Sequence, residues 1–377
     1  MKRSCLKYSI IAVLLMVNIT LVNVSGNVIS SDSYYKHLET EEFESFKMPD
    51  DYWNSPAPEN PEPGKEETII NAPGGGNCAL IITEGIDIGF VTFIGSRIQA
   101  KETLSIKNFN IKCLTGPNKE QIETLVLNWI PNNIGDDSHL FVYFIGHGGI
   151  DDSDGIYKVA LRRNYVANTT LLMKISWLAG LLNQIDNHYS ISTVLIESCY
   201  SGNAISDLSA EKRIVMTSTS KTLPAYFLPW WMGEPGIEDS GAFFSRAFFD
   251  AFVEKNKNGK LEADENEDGK VSIGEAWMYA DWEAVFAIPN DPDAQNPKID
   301  DNGNKKGVGT TCERGDELPM YDEENRKDGL LALETYFDEQ DTESEFKREN
   351  RVTDLKDIIQ KIFKNIYSNK ILNFFLF

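Results

Sequence analysis

The sequence predicts an α/β protein of three layers, in which helices cover both faces of a mostly parallel β-sheet. One observation is the repeated order of short apolar runs and amphipathic segments, which is typical of alternating strands and helices. Another is that two apolar runs end in a reactive side chain closely followed by glycine, at His147 and at Cys199. Right-handed crossovers bring the carboxyl ends of parallel strands to one edge of a sheet, where ligands bind. The sequence therefore predicts the fold and a candidate site together.

Five strands can be assigned in chain order, at residues 78–83, 109–114, 140–145, 193–198 and 212–218. Helices are predicted between them, at residues 90–107, at 118–129 and at 170–186. Asn118 is a plausible N-cap for the second helix, and Pro131 marks its end. An apolar helix follows at 241–253, a further helix at 275–286, and a final strand or edge segment at 329–337.

Length and charge limit the possible functions. The 377 residues are enough for one large α/β domain with appendages. The net charge of −22 argues against nucleic acid as a partner, because phosphate binding relies on clustered lysine and arginine.

Residues 1–26 are predicted to be a signal peptide, so the mature protein is predicted to be secreted or extracytoplasmic. A basic start precedes an apolar run, and small residues precede the expected cleavage point. Asn18, Thr20 and Asn23 interrupt the apolar run before it reaches the ~20 residues that a spanning helix needs. We therefore expect no stable transmembrane span after cleavage.

The remaining chain divides into four predicted parts. Residues 27–73 are an acidic, Pro-rich linker or propeptide, and residues 74–255 are the core domain. Residues 256–337 hold an insertion and complete the core, and residues 338–377 form a charged helical tail. Few cysteines remain after signal cleavage, and a nucleophilic Cys199 would leave at most one disulfide.

His147 and Cys199 are the candidate catalytic residues because of what each can do at a shared sheet edge. A cysteine attacks a carbonyl as the thiolate, and a nearby imidazole can generate or protect that form. Adjacent glycines let backbone N–H groups approach a substrate oxygen closely. Taken singly, a cysteine at a strand end is more often a buried apolar residue, and a lone histidine is usually structural.

The His-Gly at the end of one strand and the Glu-Ser-Cys-Tyr-Ser-Gly at the end of the next resemble the caspase-fold cysteine peptidases, and especially the legumain family. The resemblance covers residues 74–255 and implies a caspase-like αβα sandwich. It also implies a cysteine endopeptidase that hydrolyses peptide or protein substrates through a dyad of His147 and Cys199, and the predicted signal peptide would make this enzyme a secreted one. The backbone N–H groups of Gly148 and Cys199 would hold the tetrahedral oxyanion.

In that family, the region after the fifth strand helps to form the substrate pocket. The candidate pocket residues are Ser218, Thr219, Trp231, Asp239 and Ser240. The sequence departs from the legumain pattern, because the first strand is not followed by an Arg-His pair and Tyr200 replaces the acidic residue after the cysteine. Glu234, Glu238 and Asp239 could favour a basic substrate residue, whereas Arg213 and Lys221 are the nearby basic residues that could select an acidic one. The preferred substrate residue is therefore left open.

A second site is predicted at residues 264–275, which fit the twelve-residue EF-hand calcium loop. The loop would bind Ca²⁺ as a structural ion, since only one clear copy is present. Gly269 supplies the bend at position 6. A weaker acidic turn at residues 291–304 is a candidate for a second, less regular site. The predicted ligands are Asp264, Asn266, Asp268, the Lys270 carbonyl, Ser272 and Glu275.

Two alternatives remain open at this point. The same thioester intermediate could pass to an amine, as in the related transamidases, which would make the protein a peptide transamidase or ligase. The chain could also be a non-catalytic calcium-binding protein with a peptidase fold. This last reading predicts that Cys199 is no more reactive than Cys113.

Overall fold

A seven-stranded sheet is the central element of the computed structural model, which describes residues 63–72, 75–86, 92–164, 167–228, 241–286, 295–309 and 329–337. The chain divides into two units, residues 1–337 and 338–377, and every described residue belongs to the first. The predicted signal peptide, the first part of the linker at 27–62, and the tail at 338–377 lie outside the described residues. No described helix is both long and apolar enough to cross a membrane.

The order of the strands in the central sheet is β1-β4-β2-β5-β9-β10-β13. The five inner strands are parallel, and the two edge strands, β1 and β13, are antiparallel to their neighbours. The predicted mostly parallel sheet is confirmed. The strands are β1 Lys65–Ile69, β2 Cys78–Thr83, β4 Asn110–Thr115, β5 His139–Ile145, β9 Ile191–Glu197, β10 Arg213–Thr217 and β13 Lys298–Asp300.

The register aligns the carboxyl ends of the inner strands. Thr83 of β2 pairs with Ile145 of β5, and Ile145 pairs with Glu197 of β9. His147 and Cys199 each follow this row by two residues. The register therefore places the two candidate residues at equivalent positions on neighbouring strands.

Helices cover both faces of the sheet, which confirms the three layers. Alternate strand residues point to opposite faces, so Ile81 and Tyr143 enter one apolar core while Ile82 and Phe144 enter the other. The first core also contains residues of α1, α6 and α7, and the second contains residues of α2 and α4. The helices are α1 Thr92–Ile106, α2 Lys119–Thr124, α3 Ile130–Asn133, α4 Ile175–Gln184, α5 Ile205–Leu208, α6 Phe243–Asp250, α7 Ile273–Phe286 and α8 Leu330–Leu333.

The helix predicted at 118–129 starts as expected but does not end at Pro131. Asn118 caps α2 with a capping box, in which its side chain and that of Gln121 each accept a backbone N–H. A π-helical turn, Leu125–Trp129, then connects α2 to α3. Pro131 lies in the first turn of α3, where its missing N–H is tolerated. The helical path therefore continues to Asn133.

A second, smaller sheet was not predicted. It contains β3 Gly85–Ile86, β6 Gly148–Ile150, β7 Tyr157–Asn164 and β8 Thr169–Lys174. The prediction of a helix at 170–186 is therefore wrong for residues 170–174, which belong to β8. β-Branched Thr169 and Thr170 favour a strand, and β8 gains a ladder with β7.

Both ends of the predicted core also need correction. Lys65–Ile69, placed in the linker by the sequence, forms the edge strand β1 against β4. The strand predicted at 329–337 is instead a helical turn, α8, followed by an isolated bridge between Tyr336 and Ser272. The edge strand at that side of the sheet is β13. Two further short strands, β11 Phe227–Leu228 and β12 Gly241–Ala242, pair with each other before α6.

Candidate active site

Cys199 lies in a sharp turn directly after β9. Ser198 is fully buried, whereas Cys199 keeps part of its surface exposed. The turn is made by Tyr200, which has a φ of 58° and donates its backbone N–H to the Leu223 carbonyl at 2.9 Å. A left-handed φ is uncommon for a tyrosine, and such strain is tolerated where the surroundings fix the backbone. The turn ends the strand abruptly and leaves the thiol at the sheet edge.

His147 is hydrogen-bonded to the carboxylate of Glu84, a residue that the sequence analysis did not single out. Its Nδ1 lies 2.6 Å from Glu84 Oε2, and the same oxygen accepts the backbone N–H of His147 at 2.8 Å. The Glu84 side chain is fully buried. Phe93 contacts the imidazole edge to face, with 5.2 Å between the ring centroids. These contacts fix both the position and the orientation of the ring.

Gly148 connects the two halves of the site. A Cβ atom at this position would lie 2.5 Å from Tyr157 Oη, 2.7 Å from Ser198 Oγ and 2.8 Å from the Cys199 carbonyl oxygen. No side chain fits into such contacts, so glycine is required by close packing. The segment that carries His147 and the turn that carries Cys199 are therefore in direct contact.

The Cys199 thiol has a raised pKa. Burial raises its pKa to about 11, the nearby Glu197 carboxylate also raises it, and a backbone hydrogen bond with Ala225 lowers it. Cys113 has a similarly raised pKa of about 11, again because of burial, but lies inside the core. The two thiols therefore do not differ in acidity. Cys199 differs from Cys113 because it lies beside the segment that carries His147. Proton transfer to a base is needed to form the thiolate.

Glu197 is a second buried carboxyl group near the site. Its Oε2 accepts the backbone N–H of Ser245 at 2.9 Å, and its Oε1 has no hydrogen-bond partner within the described part of the chain. Burial raises its pKa to about 7, and hydrogen bonds from Ser218 and Ser245 oppose that rise. The group therefore changes charge near neutral pH.

The predicted pocket residues are only partly described. Ser218 and Thr219 lie after the carboxyl end of β10, but both are fully buried. Ser201 Oγ accepts the Thr219 N–H at 3.2 Å, and the Ser218 carbonyl accepts Gln295 Nε2 at 2.9 Å. Trp231, Asp239 and Ser240 lie outside the described residues.

Arg213 is not near the site. It lies at the amino end of β10, is buried, and contacts Asp186 at 2.6 Å and Asn183 at 3.1 Å. The suggestion that Arg213 selects an acidic substrate residue is therefore wrong.

The predicted calcium loop is a compact turn. Asp264 accepts the N–H groups of Asp268 and Gly269 at 3.1 and 2.9 Å, and Gly269 has a φ of 86°. Glu275 closes the loop by accepting the N–H groups of Asn266 at 3.2 Å and Ser272 at 2.8 Å. Among the described residues, no three or more His, Cys, Asp or Glu side chains form a group that could hold a metal ion. Calcium binding, with Lys270 as a carbonyl ligand, stays a prediction.

In the described part of the second acidic turn, the carboxylates accept hydrogen bonds from backbone N–H groups. Asp300 accepts N–H groups from Asn302 and Gly303, and Asp301 accepts those of Gly329 and Ala332. Asp301 therefore holds the start of α8, whereas Asp300 holds the turn that follows β13. Residues 291–294 lie outside the described residues.

The comparisons with known proteins cover the part of the chain that contains His147 and Cys199. The sequence model of the peptidase C13 family matches residues 95–268, which include both His147 and Cys199. The chain is a cysteine-type peptidase. No curated protein matches it.

Two caspases are among the solved structures that are similar to the chain. One is the Drosophila initiator caspase Dronc, with 11% identity and a TM-score of 0.41, covering 63% of this chain and 84% of that one. The other is caspase-1 from Spodoptera frugiperda, with 14% identity and a TM-score of 0.38, covering 60% of this chain and 87% of that one.

Proposed function

We propose that the protein is a secreted cysteine endopeptidase in which Cys199 is the nucleophile and His147 is the general base and acid. The observation that carries the proposal is the alignment of the two residues at neighbouring strand ends, in contact through Gly148. Exposure supports the assignment, because Cys78 and Cys113 are buried in the core. Trp231, Asp239 and Ser240 remain proposed pocket residues together with Ser218 and Thr219.

The first chemical step forms a thioester. His147 takes the thiol proton, and the sulfur of Cys199 bonds to the peptide carbonyl carbon while the π pair moves to oxygen. The N–H groups of Gly148 and Cys199 stabilise that oxyanion. The carbon–nitrogen bond then breaks, and the imidazolium gives its proton to the leaving amine. Water attacks the thioester with His147 again as base, which releases the acid and the thiol.

Glu84 has a defined part in these steps. Because Nδ1 of His147 is hydrogen-bonded to the Glu84 carboxylate, Nε2 is the nitrogen that exchanges a proton with the thiol. The carboxylate also stabilises the imidazolium that forms after the thiol loses its proton. Glu84 is therefore a positioning residue for His147.

The kinetic test uses a panel of fluorogenic peptides and two variants with matched controls. Cys199→Ala and His147→Ala should lose cleavage by about 1000-fold or more. Cys113→Ala removes a buried thiol, and His188→Ala removes a histidine from the opposite end of the sheet. Both control variants should keep the cleavage activity. Equal activity in Cys199→Ala and Cys113→Ala would contradict the assignment. If an added amine captures the acyl group in place of water, the transamidase alternative is favoured.

We further propose that Ca²⁺ binds to the loop at 264–275 and stabilises the angle between the flanking segments. The support is the spacing of the loop oxygens, the bend at Gly269 and the closing position of Glu275. When bound, the ion would supply positive charge among carboxylates that otherwise repel each other. It takes no part in the proposed peptide cleavage.

A further inference from the structure

We propose that Tyr157 is a positioning residue whose hydroxyl, together with Ser198, orients the backbone groups that stabilise the oxyanion. We call this pair of hydroxyls the hydroxyl clasp. The inference rests on the proposed function, because it takes Cys199 to be the nucleophile. Tyr157 lies ten residues after His147 and belongs to neither of the two sequence motifs.

The clasp joins β7 to the Cys199 turn through two hydrogen bonds. Tyr157 Oη lies 2.6 Å from Ser198 Oγ and 3.2 Å from the Cys199 carbonyl oxygen. A carbonyl only accepts, so the single proton of Tyr157 goes to Cys199 and the Ser198 hydroxyl donates to Tyr157. Ser198 is fully buried and Tyr157 is 5% exposed. Both bonds are therefore shielded from exchange with water.

The two bonds restrain the backbone on both sides of the Cys199 Cα atom. The bond to Ser198 Oγ restrains the residue that precedes the Cys199 N–H, and the bond to the Cys199 carbonyl fixes the peptide plane that follows. The direction of the Cys199 side chain depends on the backbone on both sides. Since Tyr200 is in the left-handed region, the plane that follows Cys199 needs such support.

The same tyrosine is also tied to the histidine side of the site. Tyr157 pairs with Ile150 in the β6–β7 ladder, in which Gly148 pairs with Val159, and the Ala160 N–H donates to the His147 carbonyl at 2.9 Å. Tyr157 Oη is also the atom closest to a Cβ built on Gly148, at 2.5 Å. The clasp therefore sets the separation between the N–H groups of Gly148 and Cys199.

Tyr157→Phe tests the clasp, with Tyr189→Phe as the matched control. Tyr189 is also buried, and its hydroxyl donates to Asp186 at 2.5 Å, but it lies before the amino end of β9. Each variant loses one buried hydroxyl, so both should lose some thermal stability. Only Tyr157→Phe should lower kcat, by roughly ten- to a hundredfold, with KM changed by less than about twofold.

Two inhibitors distinguish misoriented oxyanion donors from a general loss of structure in the Tyr157→Phe variant. A peptide aldehyde forms a hemithioacetal whose oxygen occupies the oxyanion position, whereas iodoacetamide alkylates sulfur without forming one. We expect Tyr157→Phe to weaken aldehyde inhibition by about the same factor as kcat and to leave the alkylation rate of Cys199 within about twofold. Ser198→Ala should act in the same direction, and the double variant should be less than additive.

The outcomes distinguish this inference from the proposed function. An active wild-type enzyme with unchanged aldehyde inhibition in Tyr157→Phe would overturn the clasp alone. Equal losses in Tyr157→Phe and Tyr189→Phe would do the same, because they indicate a general loss of stability. A wild-type protein that neither cleaves peptides nor binds the aldehyde would overturn both.

Discussion

At the scale of single residues, the chemistry depends on how Glu84 holds His147. One carboxylate oxygen accepts both the ring Nδ1–H and the backbone N–H of the same histidine. The ring therefore cannot rotate or change tautomer without breaking a bond to a buried charge. Because the Cys199 thiol has a raised pKa of about 11, its proton must be removed by a correctly oriented base during the reaction.

Glu84→Ala should lower kcat/KM by about 100-fold or more, because His147 loses its orientation and the imidazolium loses its counter-charge. Glu84→Gln keeps an oxygen for the backbone N–H and should lose less. Glu66→Ala is the control, since Glu66 is a carboxylate on the edge strand β1, which β4 and β2 separate from β5, and it pairs with Lys112. Steady-state kinetics measure the difference, and equal values for Glu84→Ala and Glu66→Ala would refute the role of Glu84.

The sequence predicted the candidate residues that lie in motifs and missed those defined only by neighbouring strands. His147 and Cys199 each follow an apolar run and precede glycine, which is visible locally. Glu84 also follows directly after a buried strand, and that signal could have been used. Tyr157 gave no such signal, because its contact with Ser198 arises only from the β6–β7 hairpin.

At the scale of elements, the loop at 264–275 is the feature that calcium should affect. Adding Ca²⁺ should raise the melting temperature, because binding to the native state alone stabilises it, by about 2.7 kcal/mol at 100 times Kd. Asp264→Asn removes the charge and one of the two oxygens that accept loop N–H groups, and it should abolish the shift. Glu267→Gln changes an exposed residue of the same loop and should keep it. No shift in the wild-type protein would exclude the site.

Phe337 closes the apolar core at the amino edge of the sheet, opposite the candidate site. Its ring contacts Phe252 at 4.6 Å, Phe109 at 5.1 Å and His139 at 5.5 Å between centroids. Phe337→Ala should lower the free energy of unfolding by about 3–5 kcal/mol in urea titrations, because it leaves a cavity. Leu330→Ala, in the same segment but exposed, should have little effect. Similar losses in both variants would show that Phe337 is not a core residue.

The inner strands were predictable because their residues are apolar without interruption, as expected for strands buried on both faces. β7 was missed because Lys158, Arg162 and Arg163 interrupt the apolar pattern. The structure explains them through partners: Lys158 pairs with Asp151 and Asp154, and Arg163 donates to Thr170 and Asn168. These partners lie within seven residues along the chain but outside β7, so the apolar pattern of the strand alone does not reveal them.

At the scale of the whole molecule, buried acids should make the fold more stable in mildly acidic solution. Burial raises the pKa of Glu197 from 4.5 to about 7 and that of Asp250 from 3.8 to about 6. The native state therefore keeps protons that the unfolded chain has lost. Between about pH 5 and pH 7, these groups should lower the free energy of unfolding as the pH rises.

Urea midpoints measured across that pH range test the expectation. Glu197→Gln and Asp250→Asn should each make the stability less dependent on pH, since each removes one titrating group. Asp207→Asn changes an exposed residue and should leave the pH dependence as it is in the wild type. Stability that increases with pH over the whole range, with no change in either variant, would contradict the account.

The most direct measurement of the central claim is covalent labelling with a peptide acyloxymethyl ketone, followed by mass mapping of the modified residue. The account predicts rapid, selective modification of Cys199 that is lost in His147→Ala and kept in His188→Ala. Calcium should change the thermal stability of the labelled protein without changing which residue is modified. Slow modification spread equally over Cys199 and the buried cysteines would contradict the account and favour a calcium-binding protein with an inactive peptidase fold.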